Sequence, residues 1–503
     1  MAFCSRHRGE YISTIDKAKI ESINALREGG IEPYPYSYKV THHAQEIKDG
    51  FSELEGKEVS IAGRAMQMRQ MGGITFIDIQ DRSGKIQGLI RNDELDPKSL
   101  LTLRNTSIGD NLGIRGIVLK SKRGEISVGA KEITMLSKTL RTLPNKWHGL
   151  TDTEARYRYR HVDLMMNQEV LKIFETRSKF MRHVRDTLDS RGAIEVETPI
   201  LQDVYGGAKA KPFTTKYHTL DDKTMFLRIS DELYLKRLII GGAERVYEVS
   251  KDFRNEDADT THNPEFTQIE YYEAYSDYEE FMKMMEDMLS SFALKTFGSM
   301  KIDFQGETID FTPPFARMYW VDELKKMVGV DVSSMSDEEA SRINDMEKLG
   351  LKHPDPYHVA DSLFDKYLKS KTLQPTFVLD FPTYMCPLTK VKRGNPNLAE
   401  RFELYVGRME VANSYSELTD PIYQRKMFEA QENERRKGDE ETPPFDEDFL
   451  DAIEYGMPPT AGIGISIDRP VMVFTNQTSI KEVILFPPMK SLPGDENSRE
   501  GNK

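Results

Sequence analysis

The chain has 503 residues, 38% hydrophobic and 30% charged, with a formal net charge of -13 and a mean hydropathy of -0.57. That length allows two or three domains with sizeable cores, and no apolar run approaches the ~18 residues a membrane span requires. Two cysteines, Cys4 and Cys386, exclude a disulfide framework and stand in no metal-ligand spacing, so a reducing cytoplasm is the expected compartment. The N-terminus shows no apolar core of a secretory signal, and none is expected. Net acidity argues against a nucleic-acid partner, yet the first 150 residues carry 23 Lys and Arg against 18 Asp and Glu. A mildly basic front on an acidic body is compatible with docking RNA locally.

The spacing of Ile15, Ile20, Ile23 and Leu26 predicts a helix over 14–29, stopped by Gly29 and Gly30. From Val59 to Leu136 the pattern turns to five or six strand segments, with a helix-like stretch from Asp93 to Asn105. Several strands and one helix suggest an OB-fold β-barrel, a fold that binds oligonucleotides across its strand face. Within ITFIDIQ, Phe76 shares a face with Asp78 and Gln80, while Ile77 and Ile79 face the other way. An aromatic so placed either stacks a base or simply packs in the barrel.

Residues 142–169 read as a linker, and Val170–Arg191 as a long helix with Leu171, Phe174, Phe180, Val184 and Leu188 on its buried stripe. AIEVETPIL at 193–201 reads as a short strand, and YGGAKAKPF at 205–213 as a loop whose glycines let backbone approach a ligand. RISDELYLKRLIIGG at 228–242 reads as a helix capped by Ser230, with Glu232 in its first turn.

Arg245–Tyr275 is the most informative stretch. Two strands, Arg245–Phe253 and Phe266–Tyr275, flank a polar loop. Phe266, Gln268, Glu270 and Tyr272 fall on one face, and Arg254 and Glu256 share a face of the outgoing strand. One wall then presents an arginine fork suited to a phosphate, a ring suited to a flat base and carboxylates suited to an amine. Any one of these charges fits an ordinary solvated hairpin; their concentration on one face points to a ligand.

Residues 278–376 read mostly as amphipathic helices, with FMKMMEDML as core filler. RFELYVGRMEVANSYSE at 401–417 is strand-like, placing Asn413, Tyr415 and Glu417 on one face with Glu403 and Glu410 flanking them. At 458–476 a Gly-punctuated strand leads into Asp468-Arg469-Pro470, which opens a helix and suits an anion. The last residues, 491–503, are expected to be a disordered tail.

FRNE at 253–256 followed by HNPEF at 262–266 resembles motif 2 of the class II aminoacyl-tRNA synthetases, and within that class the lysyl-tRNA synthetases. The segment 193–201 resembles motif 1 and the block 458–476 motif 3, and the likeness runs from roughly Ser13 to Met489. The resemblance implies an α+β chain. An N-terminal helix and OB-fold anticodon-binding domain would cover 1–141, with the linker 142–169 after it. A class II catalytic domain, an antiparallel sheet flanked by helices, would cover 170–490 with a helical insertion at about 278–376.

It also implies a reaction: L-lysine is activated with ATP to lysyl-adenylate and pyrophosphate, then transferred to the 3′ end of tRNA(Lys). Arg254 and Arg469 would be the catalytic residues, Arg254 on the α-phosphate and substrate carboxylate and Arg469 on the γ-phosphate. Glu256 and Phe266 would hold adenine, and His262 the other phosphates. Glu232 would take the α-amino group, Asn413 the carboxylate, and Glu270, Tyr272 and Glu417 the ε-ammonium. Glu403 and Glu410 would bind Mg²⁺, and Arg69, Phe76, Gln87 and Glu125 the anticodon. A homodimer built through motif 1 is implied as well.

With no cation expected at the far end of this pocket, an acidic amino acid would be repelled there and a neutral one would leave carboxylates unpaired. Aspartyl- and asparaginyl-tRNA synthetases share the architecture, and a catalytically inactive RNA-binding paralogue would share much of it. Ser466 stands where many relatives have Gly, Thr419 where Asn is common and Asp257 where Gly often follows FRNE. These departures bear on the motif 2 loop and on ATP affinity.

Overall fold

The computed structural model describes residues 15–144, 150–436 and 441–490, so Cys4 and the expected tail at 491–503 lie outside the described residues. The described residues divide into two compact units, one of residues up to 170 with 488–490, and one within 171–487.

In the first unit the helix begins at Lys17, where the Asp16 carboxylate accepts the Ala18 N–H at 3.0 Å, and ends at Glu28 before Gly29. Ile23 and Leu26 are buried, but Ile15 and Ile20 of the expected stripe are exposed. Five strands close a barrel: Glu58–Met71, Ile74–Gln80, Lys85–Arg91, Asn111–Lys120 and Ile126–Ser137. Around it the first, second, third, fifth and fourth are neighbours, and the fourth returns to the first. Ile77 and Ile79 point into its core while Phe76 and Asp78 stay half-buried, as the two-residue period requires. The helix between the third and fourth strands is shorter than the sequence suggests, Pro97–Arg104, because Asp96 caps it and Pro97 opens it.

The second unit is organised on a mixed sheet. Its strands run, edge to edge, Ala316–Tyr319, Thr376–Pro382, Asn395–Val406, Met409–Ser416, Thr460–Ser466, Glu265–Ala274, Arg245–Phe253 and Ile194–Glu195. Pairing along this path is antiparallel, as expected, except at the two edges, where it is parallel. Helices Gln168–Ser190 and Tyr278–Phe297 bring Phe180, Val184, Leu188, Phe281, Met285 and Phe292 into one apolar core with the sheet.

Two segments differ from expectation. Of 193–201 only Ile194–Glu195 and the final Leu201 are strand; between them the Glu248 carboxylate accepts Thr198 N–H at 2.9 Å and the Thr198 hydroxyl at 2.7 Å, replacing the ladder with a side chain. The stretch 278–376 is not one helical insertion. Its first helix belongs to the main core, Lys301–Phe304 and Glu307–Asp310 form a hairpin, and Ala316–Tyr319 is a sheet edge. A separate cluster of Trp320, Leu324, Ile343, Val359 and Leu363 forms only after that. Met and Phe at helical spacing look the same in a core helix and in an inserted one.

The strand Thr460–Ser466 sets the floor of the site. Gly462 pairs with Tyr272 on one side and Tyr415 on the other, and Gly464 with Glu270 and Asn413. A Cβ on Gly462 would lie 2.1 Å from Glu417 Oε1 and 2.4 Å from Tyr272 Cε1. Only a residue without a side chain lets those groups meet.

Candidate active site

A cavity of about 820 Å³ opens over this glycine row. Arg254, Glu256, His262, Phe266, Glu270, Tyr272, Glu232, Asn413, Glu403, Glu410 and Arg469 all line it. Glu417 does not; it is fully buried just beneath, beside Gly462.

The nucleotide-like end is built on the hairpin. The outgoing strand stops at Phe253, so Arg254 and Glu256 lie in the loop rather than on a strand face, although Arg254 N–H still pairs with Pro264 O at 2.9 Å. The Arg254 guanidinium sits 5.0 Å from the centre of the half-buried Phe266 ring. Glu256 is exposed. His262 is held by Asp259 at 2.8 Å. Against a burial penalty, Thr261 N–H and the His262 imidazole hold the Asp259 carboxyl down at about 2. Arg469 donates to Glu410 O at 2.8 Å and Thr261 O at 3.4 Å, tying the hairpin loop to the strand Met409–Ser416.

The other end is acidic and buried. Glu270 accepts from Ser230 Oγ at 2.7 Å, Gln268 Nε2 at 2.8 Å and Tyr272 Oη at 2.9 Å. Ser230 is not the N-cap residue, which is Asp231; its hydroxyl instead accepts Glu232 N–H and donates to Glu270. Burial and the neighbouring Asp252 and Glu232 push Glu270 up to about 7. Asp231, Asp252 and Glu270 hold oxygens within 4.8 Å of one another, and neither oxygen of the fully buried Asp231 has a hydrogen-bond partner. Burial and the neighbouring Glu270 push the Asp231 carboxyl well above its ordinary value. The glycine loop lines the cavity through Gly206 and Gly207, and Gly207, at φ +85°, also packs against Ser230: a Cβ there would lie 2.7 Å from Ser230 Oγ.

One expectation fails here. A cation does stand at this end: Lys236, completely buried, donates to Glu232 Oε1 at 2.5 Å and pairs with Glu417 Oε2. The i,i+4 spacing of Glu232 and Lys236 on the helix Glu232–Ile240 was the signal for it. Glu417 is pushed up to about 8 by burial, with Lys236 opposing and Glu232 adding to the shift. Arg401 was also missed, though it lies two residues from Glu403 along one strand. It pairs with Glu403, stacks 4.3 Å from the Phe381 ring centre and donates to Asn413 Oδ1 at 3.2 Å. That contact leaves the Asn413 amide N–H groups to donate elsewhere. Glu403 also accepts from Tyr405 Oη at 2.9 Å, and burial together with Glu410 pushes it up to about 7.

On the barrel, Phe76 is half-buried and Arg69 exposed, 3.9 Å from Asp78. Gln87 is 4% exposed, its amide donating to Glu125 at 3.0 Å and accepting from Ser127 Oγ at 3.1 Å. It is therefore spent on protein partners, whereas Glu125 stays exposed.

Residues 152–490 match the family described as tRNA synthetases class II (D, K and N), and residues 59–136 match an OB-fold nucleic-acid-binding domain. The chain belongs to the class II tRNA synthetases. Among its relatives in this family is a lysine–tRNA ligase of Pelotomaculum thermopropionicum, 46% identical over 96% of each chain. Another, from Syntrophomonas wolfei, is 46% identical over 95% of this chain and 97% of the relative. A third, from Clostridium perfringens, is 46% identical over 96% and 97%. As a class II synthetase it is a ligase with an OB-fold domain on the N-terminal side of the catalytic one. No described helix is long and apolar enough to cross a membrane.

Proposed function

We propose that the chain is a lysine–tRNA ligase. One observation carries the reading: among the described residues, Glu232, Glu270 and Glu417 converge at the buried end with Lys236 as the resident ammonium. Three carboxylates against one ammonium leave an excess of negative charge, which a cationic guest satisfies. Aspartate would need a cation free to meet it there, and Lys236 is already committed to two carboxylates; asparagine would bring no charge to the carboxylates left over.

ATP and lysine are the substrates of the first step. The lysine carboxylate, oriented by Arg254 and Asn413, attacks the α-phosphorus in line and pyrophosphate leaves. The 3′-terminal ribose hydroxyl of tRNA then attacks the adenylate carbonyl, and AMP leaves. No protein nucleophile is needed, and catalysis rests on positioning and charge neutralisation. Phe266 offers a face to the base with Glu256 beside it, and His262 and Arg469 serve the outer phosphates. Glu403 and Glu410 would hold Mg²⁺, two hard oxygen donors whose repulsion a divalent cation relieves; the ion would neutralise phosphate charge. Glu232 takes the α-amino group, and Glu270, Tyr272 and Glu417 the ε-ammonium.

Phe76, Arg69 and Glu125 are assigned to the anticodon of tRNA(Lys), with Gln87 positioning Glu125. The cytoplasm is the proposed compartment. A homodimer is proposed as well, since Ile194, Ile200 and Leu201 expose 58%, 45% and 50% of their surface near the sheet edge. ATP–pyrophosphate exchange with lysine, aspartate and asparagine in parallel tests the assignment. Lysine is expected to exceed the others by ~10⁴-fold, and exchange driven by aspartate instead would overturn it.

A further inference from the structure

Lys236 takes one oxygen of each of two carboxylates that come from distant parts of the chain. Glu232 lies one helical turn before it, and Glu417 lies at the end of the strand Met409–Ser416, where its N–H is fixed to Thr460 O at 2.8 Å. Lys236 uses Oε1 of Glu232 and Oε2 of Glu417. Glu232 Oε2 and Glu417 Oε1 remain, and Glu417 Oε1 stands over Gly462 on the side where Tyr272 lies. A flexible carboxylate could turn either oxygen to a guest; one gripped by a buried ammonium cannot.

The count of charges points the same way. Free lysine brings two ammonium groups and one carboxylate, and the carboxylate is directed to Arg254 and Asn413. Two ammoniums facing Glu232, Glu270 and Glu417 would leave one buried carboxylate without a counter-charge. Lys236 supplies the third. The other groups that face this set are Asp231 on the same helix end, Asp252 beside Glu270 and itself paired with Arg228 Nε at 3.1 Å, Tyr272 beside Glu270, and Tyr415 and Arg401 from the neighbouring strands. Arg401 is committed to Glu403 and so does not alter the balance.

We propose that Lys236 is a positioning residue for amino-acid selection: it fixes Glu232 and Glu417 with one oxygen each turned to the substrate, and completes a set of three ammoniums for three carboxylates. The proposal rests on the lysine reading above. Without Lys236 the two glutamates lose their counter-charge and at least one of them takes a proton, so the pocket stops discriminating by charge.

Equilibrium dialysis of the full chain with radiolabelled lysine, and separately with ATP, provides the test. The wild-type protein comes first; failure to bind lysine there removes the substrate reading and this proposal together. With wild-type binding established, Lys236→Met is expected to raise the lysine Kd by roughly 10²-fold or more while the ATP Kd stays unchanged. The midpoint of the pH dependence of lysine binding should also move up, by about one unit or more. Lys236→Arg, which keeps the charge, should retain the wild-type midpoint. If Lys236→Met does not fold, Lys236→Gln carries the same expectations. Wild-type lysine affinity in the neutral variants would overturn the proposal. So would parallel loss of lysine and ATP binding, which marks Lys236 as merely a fold staple.

Discussion

Two lysine side chains among the described residues, Lys138 and Lys236, are fully buried, and they do opposite things. In the first unit, Lys138 donates to Asn105 O at 2.7 Å, Ser107 Oγ at 2.8 Å and Asp110 Oδ2 at 2.8 Å. Asp110 in turn accepts Ser107 N–H and Thr139 N–H. Each ammonium proton has an acceptor, one carboxylate balances one charge, and the network is closed. In the second unit, Lys236 faces two carboxylates and Glu417 has no hydrogen-bond donor to Oε1. Closed buried charge builds a fold; buried charge with acceptors left over builds a binding site.

The contrast can be broken first at its open end. Glu417→Gln is expected to lower lysine-dependent ATP–pyrophosphate exchange by ~10⁴-fold, and near-normal exchange would show that the pocket is misassigned. At the closed end, Lys138→Met strands Asp110 and should cost about 3–5 kcal/mol of stability. Denaturant melts should show that loss, and lysine Kd in the folded protein should stay at the wild-type value. Gly462→Ala sharpens the same point, because the added Cβ meets Glu417 and Tyr272. Steady-state kinetics should find lysine kcat/KM lower by roughly 10²-fold.

Away from both lysines, Phe76→Ala should weaken tRNA charging by ~1–3 kcal/mol while lysine activation is unchanged; equal loss of both would count against an anticodon role. The smallest effect is the pH response. Burial pushes Glu270 up to about 7 and Glu417 up to about 8, whereas a bound ammonium needs them ionised. Lysine KM should therefore rise as pH falls below 8, by up to about tenfold per unit. Raised acids also contribute stability at low pH that is lost as pH climbs through 7 and 8. Lysine should accordingly raise Tm more at pH 8.5 than at pH 6, which thermal scans would measure.

How much of this was legible in the sequence depended on distance along the chain. The wall of Phe266, Gln268, Glu270 and Tyr272 could be read because strand period is local, and the barrel's Ile77 and Ile79 for the same reason. The Glu232–Lys236 spacing was equally local, but a charged pair on a helix ordinarily sits in solvent, and nothing in the pattern says that this one is buried. Glu417 joins Lys236 from 181 positions away, beyond the reach of any periodicity. The segment 193–201 was misread because Glu248, some 50 residues on, takes the Thr198 N–H that a strand would have used.

The two-residue strand Ile194–Glu195 has a consequence for assembly. It closes one edge of the large sheet and pairs in parallel through Val246 and Tyr247. So brief an edge offers an incoming strand almost no template. In the proposed homodimer, copies meeting at the exposed Ile194 would therefore join through side chains, and growth by sheet extension is disfavoured on that side.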